Sequence, residues 1–329
     1  MSLEFLISKI KKNNFLLIGR AGVDIYPDPP GTKIENAKIF VTYLGGSSAN
    51  TGVELTKFDG LCSLLTRVSN DALGKLAINQ LDFYGVNRDL VQLEDNESRI
   101  SFAIVETTTK DHQSIIYRHK AADLFLNKKD IDSAKIYNYE CILISGTSLA
   151  AEPSREAVLY TLEIAKKNKI PVIMDIDYRP YTWESQKIAR EVYNFAANSC
   201  SGIIGNDEEF AVLSGDYTEG ISYAKKLSSN CDLIIYKKGE NGSITFANGR
   251  EINKGVYPVQ PLKPTGAGDA FMGALVGGLL NNYDIEKSIE IGSAAAAIVV
   301  TKVGCAPAMP DLKEVLEFMK NNQINEGEK

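Results

Sequence analysis

The feature that most restricts this chain is a rhythm. Short apolar runs alternate with stretches of helical length along most of its 329 residues. Phe15-Leu16-Leu17-Ile18-Gly19, Leu61–Val68, Cys141–Ser145, Pro171–Asp175, Gly202–Gly205 and Leu233–Lys237 read as buried strands. Between them, Asp71–Tyr84, Pro153–Asn168, Glu184–Asn198 and a segment near Thr218–Ser228 read as helices, with short connections. A strand followed by a helix and another strand closes only as a right-handed crossover to a parallel neighbour. The order therefore predicts a mainly parallel sheet covered by helices on both faces.

The rhythm breaks once. Arg99–Glu106 and His112–His119 alternate in character and are joined by the polar Thr107–Asp111, which predicts an antiparallel hairpin. With the segment around Ile25–Tyr43 it would form a small sheet apart from the core, a candidate lid. The expected division is a core of 1–24, 45–97 and 124–329 and a lid of 25–44 and 98–123. A second hairpin is expected at Gly242–Ala247 with the Asn248-Gly249 turn. Two Ala- and Gly-rich helices follow, from Asp269 and near Ile285, and a last one after Pro310.

Composition removes several function classes. The net charge of -6 argues against nucleic acid as the main partner. Five scattered cysteines read as core thiols, and two histidines leave no basis for a histidine-based triad or zinc site. The longest nearly apolar run, Ala270–Leu280, is too short to span a bilayer. The amphipathic first residues carry their lysines after the apolar ones, the wrong order for a signal peptide, so a cytoplasmic location is expected.

Four features fall at predicted strand ends or helix starts. They are Asp24, Gly45-Gly46 with Asn50, the segment Asp175-Ile176-Asp177-Tyr178-Arg179, and Thr265-Gly266-Ala267-Gly268-Asp269. Ligands of open α/β sheets bind at the carboxyl ends of the strands, where these four would converge. A glycine turn opening a helix exposes unpaired N–H groups and the positive end of the dipole, which suits an anion. Asp269 beside it reads either as a helix cap or as a carboxylate that accepts a proton. Asn206-Asp207-Glu208-Glu209 offers oxygen ligands of the kind Mg²⁺ takes, or simply an acidic first turn. No Gly-x-x-x-x-Gly-Lys-Ser/Thr loop occurs, and no Gly-x-Gly-x-x-Gly follows the first strand, which disfavours a P-loop protein and a Rossmann dehydrogenase.

Gly45-Gly46-Ser47-Ser48-Ala49-Asn50 and the Thr265–Asp269 helix start resemble the two signatures of the ribokinase-like (PfkB) carbohydrate kinases. The resemblance covers nearly all of the chain. It implies a three-layer α/β sandwich with a mainly parallel central sheet and a small β-sheet lid, which often forms a homodimer contact. It implies ATP and Mg²⁺ as cofactors and a small-molecule sugar as partner. Asp269 would be the catalytic base, with Gly266, Ala267 and Gly268 as the anion hole. Asp24, Gly45, Gly46 and Asn50 would hold sugar hydroxyls. Asn206 and Glu209 would organise the metal, largely through water. Lys237, Gly239, Gly242, Thr265 and Ser293 would bind the nucleotide.

Within the family, Asp175–Trp183, Lys263-Pro264 and Tyr117-Arg118…Ala121-Ala122-Asp123 resemble the branch that phosphorylates 5-dehydro-2-deoxy-D-gluconate in inositol breakdown. Such a sugar acid brings a carboxylate, and arginine's planar fork is its usual bidentate partner. Arg118 and Arg179 are the candidates, each otherwise a structural salt bridge. The alternatives are 2-keto-3-deoxygluconate, a neutral sugar such as fructose, or a binding protein without catalysis. Lys263 departs from an acid that many relatives use to help bind a monovalent cation. Its ammonium is expected to replace that cation and make activity independent of potassium.

Overall fold

The computed structural model describes residues 2–95 and 97–325. The described residues begin with α1 (Leu3–Ile10), β1 (Phe15–Ile18), β2 (Gly22–Asp28), β3 (Ile39–Gly45), α2 (Ser47–Lys57), β4 (Cys62–Ser69), α3 (Ala72–Tyr84) and β5 (Val91–Glu94). They continue with β6 (Phe102–Val105), β7 (Ser114–Tyr117), α4 (Lys128–Ala134), β8 (Cys141–Ser145), α5 (Ser154–Asn168), β9 (Val172–Asp175), α6 (Gln186–Ala197) and β10 (Gly202–Asn206). The rest are α7 (Asp207–Ser214), α8 (Gly220–Leu227), β11 (Leu233–Lys237), β12 (Ser243–Ala247), β13 (Arg250–Lys254), α9 (Ala267–Leu280), α10 (Ile285–Val300) and α11 (Leu312–Asn321).

The large sheet runs β13-β12-β11-β10-β9-β8-β1-β4-β5. All neighbours from β11 to β5 are parallel, and β12 and β13 add an antiparallel hairpin at one edge. The strands read as continuous apolar runs because both faces are covered. On β1, Phe15 and Leu17 enter a core shared with α2, α9 and α10, while Leu16 and Ile18 enter one shared with α5 and α6. Since β1 pairs with β4 on one side and β8 on the other, the chain winds outward from it in both directions. That reversal opens a crevice at the carboxyl ends of β1 and β8.

The second sheet runs β3-β2-β6-β7. Its β2/β3 and β6/β7 pairs are antiparallel, but β2 and β6 run parallel. Three prolines near its end hide β2 in the sequence. Pro27 fits because β6 pairs only with Val23–Ile25, so Pro27 lies beyond the stretch bonded on both sides. Two further elements carry weak sequence signals. Edge strand β5 is the half-polar Val-Gln-Leu-Glu, and α4 is a short helix held by an Asn127–Asp130 capping box.

Helix α9 is buried from Ala270 to Leu279, and its glycines decide what can approach it. A Cβ on Gly273 would lie 2.6 Å from Glu54 Cβ, and one on Gly277 would lie 2.6 Å from Phe58 Cβ. Both partners belong to α2 or its C-terminal cap. The missing side chains thus let α2 and α9 pack closely, with their N-termini at the same crevice.

Candidate active site

Two helices start at the crevice on glycines of positive φ, Gly46 at 97° for α2 and Gly266 at 89° for α9. Neither cap supplies a side-chain hydrogen bond. At α9 the ladder begins with Ala270 N–H donating to the Gly266 carbonyl. The amides before it have no acceptor within the helix, the property that suits a helix start to an anion. Gly268 closes the same site from the other side: a Cβ there would stand 3.4 Å from Lys237 Nζ and 3.7 Å from Asp175 Oδ2. Lys237 Nζ and Asp175 therefore lie beside the first turn of α9.

Asp269 lies in this first turn and joins the two helices. Asn50 Nδ2, from α2, donates to Asp269 Oδ2 at 2.9 Å. Burial among neighbouring acids pushes the Asp269 carboxyl up to about 8, with Asp177 and Asp175 adding to the rise and Asn50 and Arg179 restraining it. A carboxyl raised that far can exchange a proton near neutral pH, which a helix cap does not require.

The acids across from Asp269 come from the end of β9. Asp177, at φ 43°, accepts from Ser47 Oγ at 2.5 Å and Ser145 Oγ at 2.9 Å, and pairs with Arg179 Nη2 at 2.6 Å. Burial raises its carboxyl, but Arg179, both hydroxyls and Arg20 outweigh that and hold it below the ordinary range. Asp175 is raised, chiefly by burial, against the pull of Lys237 Nζ at 3.7 Å from its Oδ1, and that oxygen has no hydrogen-bond donor among the described residues. Burial and then Asp175 push Glu209 up to about 7. A divalent ion would relieve such a crowd of carboxyls.

Asn206 and Glu209 form a capping box at the start of α7: Asn206 Oδ1 accepts from Glu209 N–H at 2.9 Å, and Glu209 Oε2 from Asn206 N–H at 2.7 Å. Glu209 Oε1 also accepts from Tyr178 N–H at 3.2 Å. Among the described residues no three His, Cys, Asp or Glu side chains cluster closely enough to hold a metal by themselves. The donor set fits Mg²⁺ bound mainly through phosphate oxygens and water, with the unpartnered Asp175 oxygen available to it.

The expected sugar-side residues sit beside this centre. Asp24 is buried against Gly45, where a Cβ would come within van der Waals overlap of its Oδ1. Burial pushes Asp24 up to about 6, with Arg20 and Lys263 holding it back. Gly46 is compressed onto the Arg20 carbonyl, 2.4 Å from where a Cβ would stand. On the nucleotide side, Gly239 turns at φ 58° with open space around it. Gly242 and Ser293 both lean on Gly255. A Cβ on Gly242 would lie 2.8 Å from Gly255 Cα, and Ser293 Oγ donates to the Gly255 carbonyl at 3.4 Å.

Arg118 takes the second of the two readings given for it, a structural salt bridge. Its Nε and Nη2 donate to Asp123 Oδ2 at 2.9 and 2.5 Å, and its Nη1 to the Thr147 carbonyl at 3.0 Å. It is a buried strut whose fork is already filled. Lys263 is fully buried, and its Nζ donates to the carbonyls of Thr265 at 2.5 Å and Val299 at 3.4 Å. The ammonium thus fastens the turn that precedes the anion site. Arg20, Ser47 and Ser145 were not singled out from sequence, although Arg20 and Ser145 follow or end strands at the crevice, which is the signal that could have found them.

Comparison with known proteins gives the family and the fold. The family described as "pfkB family carbohydrate kinase" matches residues 12–312. A 5-dehydro-2-deoxygluconokinase from Photobacterium profundum is 34% identical over 314 residues, covering 94% of this chain and 95% of that protein. Among solved structures, a putative ribokinase II from E. coli in complex with ATP and Mg²⁺ matches with a TM-score of 0.83 at 22% identity, over 94% of this chain and 99% of that one. A fructokinase from Vibrio cholerae O395, solved with fructose, ADP and potassium, matches with a TM-score of 0.81 at 22% identity, over 93% and 98%. The ribokinase-like fold, with its large sheet and small second sheet, is common ground.

Proposed function

The chain belongs to the pfkB family of carbohydrate kinases, and on that footing we propose that it moves the γ-phosphoryl group of ATP to a primary hydroxyl of a sugar acid, 5-dehydro-2-deoxy-D-gluconate first. One observation carries the chemistry: Asp269, raised to about 8 and held by Asn50, lies in the same helix turn as the open amides. Asp269 takes the hydroxyl proton as the sugar oxygen bonds to the γ-phosphorus. The bond from that phosphorus to the bridging oxygen breaks, and its electron pair leaves with ADP. The amides of Gly266, Ala267 and Gly268, with Lys237, receive the phosphoryl oxygens, so the protein supplies position and charge rather than a covalent intermediate. Mg²⁺, held through Glu209, Asn206 and water, would neutralise phosphate charge during transfer. Gly239, Gly242, Thr265 and Ser293 border the nucleotide.

The substrate class rests on the named relative and on Arg179, whose side chain is 42% exposed and can accept a second anion beside Asp177. 2-Keto-3-deoxygluconate shares the carboxylate, and fructose lacks it. The small sheet (25–44 and 98–123) would close over the sugar as a lid above the core of 1–24, 45–97 and 124–329. It exposes Ile39, Phe40, Ile115 and Tyr117, which supports a homodimer through that sheet. No helix among the described residues is long and apolar enough to cross a membrane. ATP as donor and a step in inositol breakdown suit the cytoplasm. A coupled ATP-consumption assay over sugars and sugar acids tests the reading. Turnover should be fastest with 5-dehydro-2-deoxygluconate, and a clear preference for fructose would overturn the acid assignment.

A further inference from the structure

Three guanidinium groups lie at the substrate end of the crevice, and they differ in what they already hold. Arg118 is filled by Asp123 and Thr147. Arg179 is half committed: Nη2 pairs with Asp177 at 2.6 Å and Nη1 donates to the Tyr178 carbonyl at 2.9 Å. Arg20 is almost empty. It is nine-tenths buried, its Nε has no partner, and its Nη1 reaches only Ser101 Oγ at 3.5 Å, the outer limit of a hydrogen bond. No carboxylate lies within ion-pair distance of Arg20 among the described residues.

A buried guanidinium with unfilled donors is costly, because neither water nor an acceptor replaces its lost hydration. Its position says what is missing. Arg20 follows β1 at the point where the strand order reverses, and its carbonyl accepts from Ala49 N–H of α2 at 3.3 Å. It is near enough to Asp24 and Asp177 to restrain the rise of the first and help lower the second, and Ser101 stands just before β6 of the small sheet. The guanidinium, with its buried Nε unpartnered and Nη1 held only at 3.5 Å, therefore sits between the core, the small sheet and the sugar-side acids. We propose that Arg20 is a specificity-determining residue that takes the carboxylate of the substrate in its fork. Arg179 then supplies a second, outer cation, and Arg118 serves only as a strut. This deepens the sugar-acid reading and rests on it.

The experiment compares Arg20→Met and Arg20→Lys with the unaltered enzyme on 5-dehydro-2-deoxygluconate and on its primary amide, which keeps the reacting hydroxyl but loses the charge. Binding of the carboxylate by Arg20 predicts that the acid-to-amide ratio of kcat/KM falls about 10²–10³-fold in Arg20→Met, the range for one partner of a desolvated charge pair. The loss should sit mainly in KM for the acid, with KM for ATP unmoved. Arg20→Lys keeps the charge without the fork and should recover only part of the ratio. Equal losses on acid and amide would assign Arg20 to balancing Asp24 and Asp177 and overturn the proposal. So would an unchanged ratio in Arg20→Met. If the unaltered enzyme does not prefer the acid, the sugar-acid reading itself falls. Should Arg20→Met fail to fold, an unchanged ratio in Arg20→Lys would still sink the inference.

Discussion

The starts of α2 and α9 look alike in sequence and differ in what covers them. Both begin on a glycine of positive φ, and neither has a capping side chain. The first turn of α2 is buried throughout, roofed by the Arg20 carbonyl, which accepts from Ala49. The first turn of α9 is half-buried, and its amides stay open. Closure makes α2 a rigid mount for Asn50, whereas openness leaves the first turn of α9 free to receive an anion. A glycine-led helix start is therefore an offer of amides, and the neighbouring chain decides whether a ligand receives it.

The sharpest way to break this contrast is Asp269→Asn. It should lower kcat about 10²–10⁴-fold while leaving KM for ATP nearly unchanged; near-normal turnover would remove the base. The same variant bears on stability. The folded state keeps the Asp269 proton up to about pH 8, whereas the unfolded chain releases it near the ordinary value of 3.8. Between those limits the folded state binds more protons, so stability falls as pH rises. Asp269→Asn removes that loss and should melt higher than the unaltered protein at pH 8, read by calorimetry.

Exchanging the two caps comes next. Gly266→Ala should cut kcat about 10- to 10²-fold, because an alanine at φ 89° strains the anion site and meets Cys305 Sγ at 2.8 Å. Gly46→Ala faces a backbone oxygen at 2.4 Å and should instead appear as a loss of folding stability on the order of 2 kcal/mol, read as a lower melting temperature. The reverse pattern would mean that α2, not α9, carries the anion. Arg179→Ala should raise KM for a sugar acid about tenfold or more and change a neutral sugar little.

Two smaller effects complete the series. With the base raised to about 8 in the free enzyme, kcat/KM should fall as pH drops below that value, and added Mg²⁺ should move the midpoint down. A flat profile from pH 6 to 9 would contradict Asp269 as the titrating group. Finally, Lys263 already fills the turn before the anion site, so replacing Na⁺ by K⁺ should change the rate by less than about twofold, within ordinary ionic-strength effects. Strong activation by potassium would show that the lysine does not replace a cation.

How much of this was legible in the chain depended on how local the cause was. Strands such as β8 and β11 declare themselves because burial on both faces requires unbroken apolar runs. The turns at Gly46 and Gly266 declare themselves because few other residues fit those angles. Edge strand β5 did not, since its one buried side chain is an acid, Glu94, paired with Arg67, while Leu93 is exposed. Arg118 and Arg20 were indistinguishable as arginines. What separates them is that Asp123 lies five residues from the first, whereas the second faces Ser101 across a sheet boundary. Occupancy of a side chain by long-range partners has no signature in local sequence.

The glycines at 273 and 277 have a consequence beyond packing. They set the spacing of two rods whose tips hold Asn50 and Asp269, and Gly277 lies two helical turns below the acid, about 12 Å along the axis. A methyl group added there would act as a wedge at the base of a pair of tongs. It would touch no ligand, yet would misalign the jaws and appear in a genetic screen as a catalytic defect with no visible tie to the substrate.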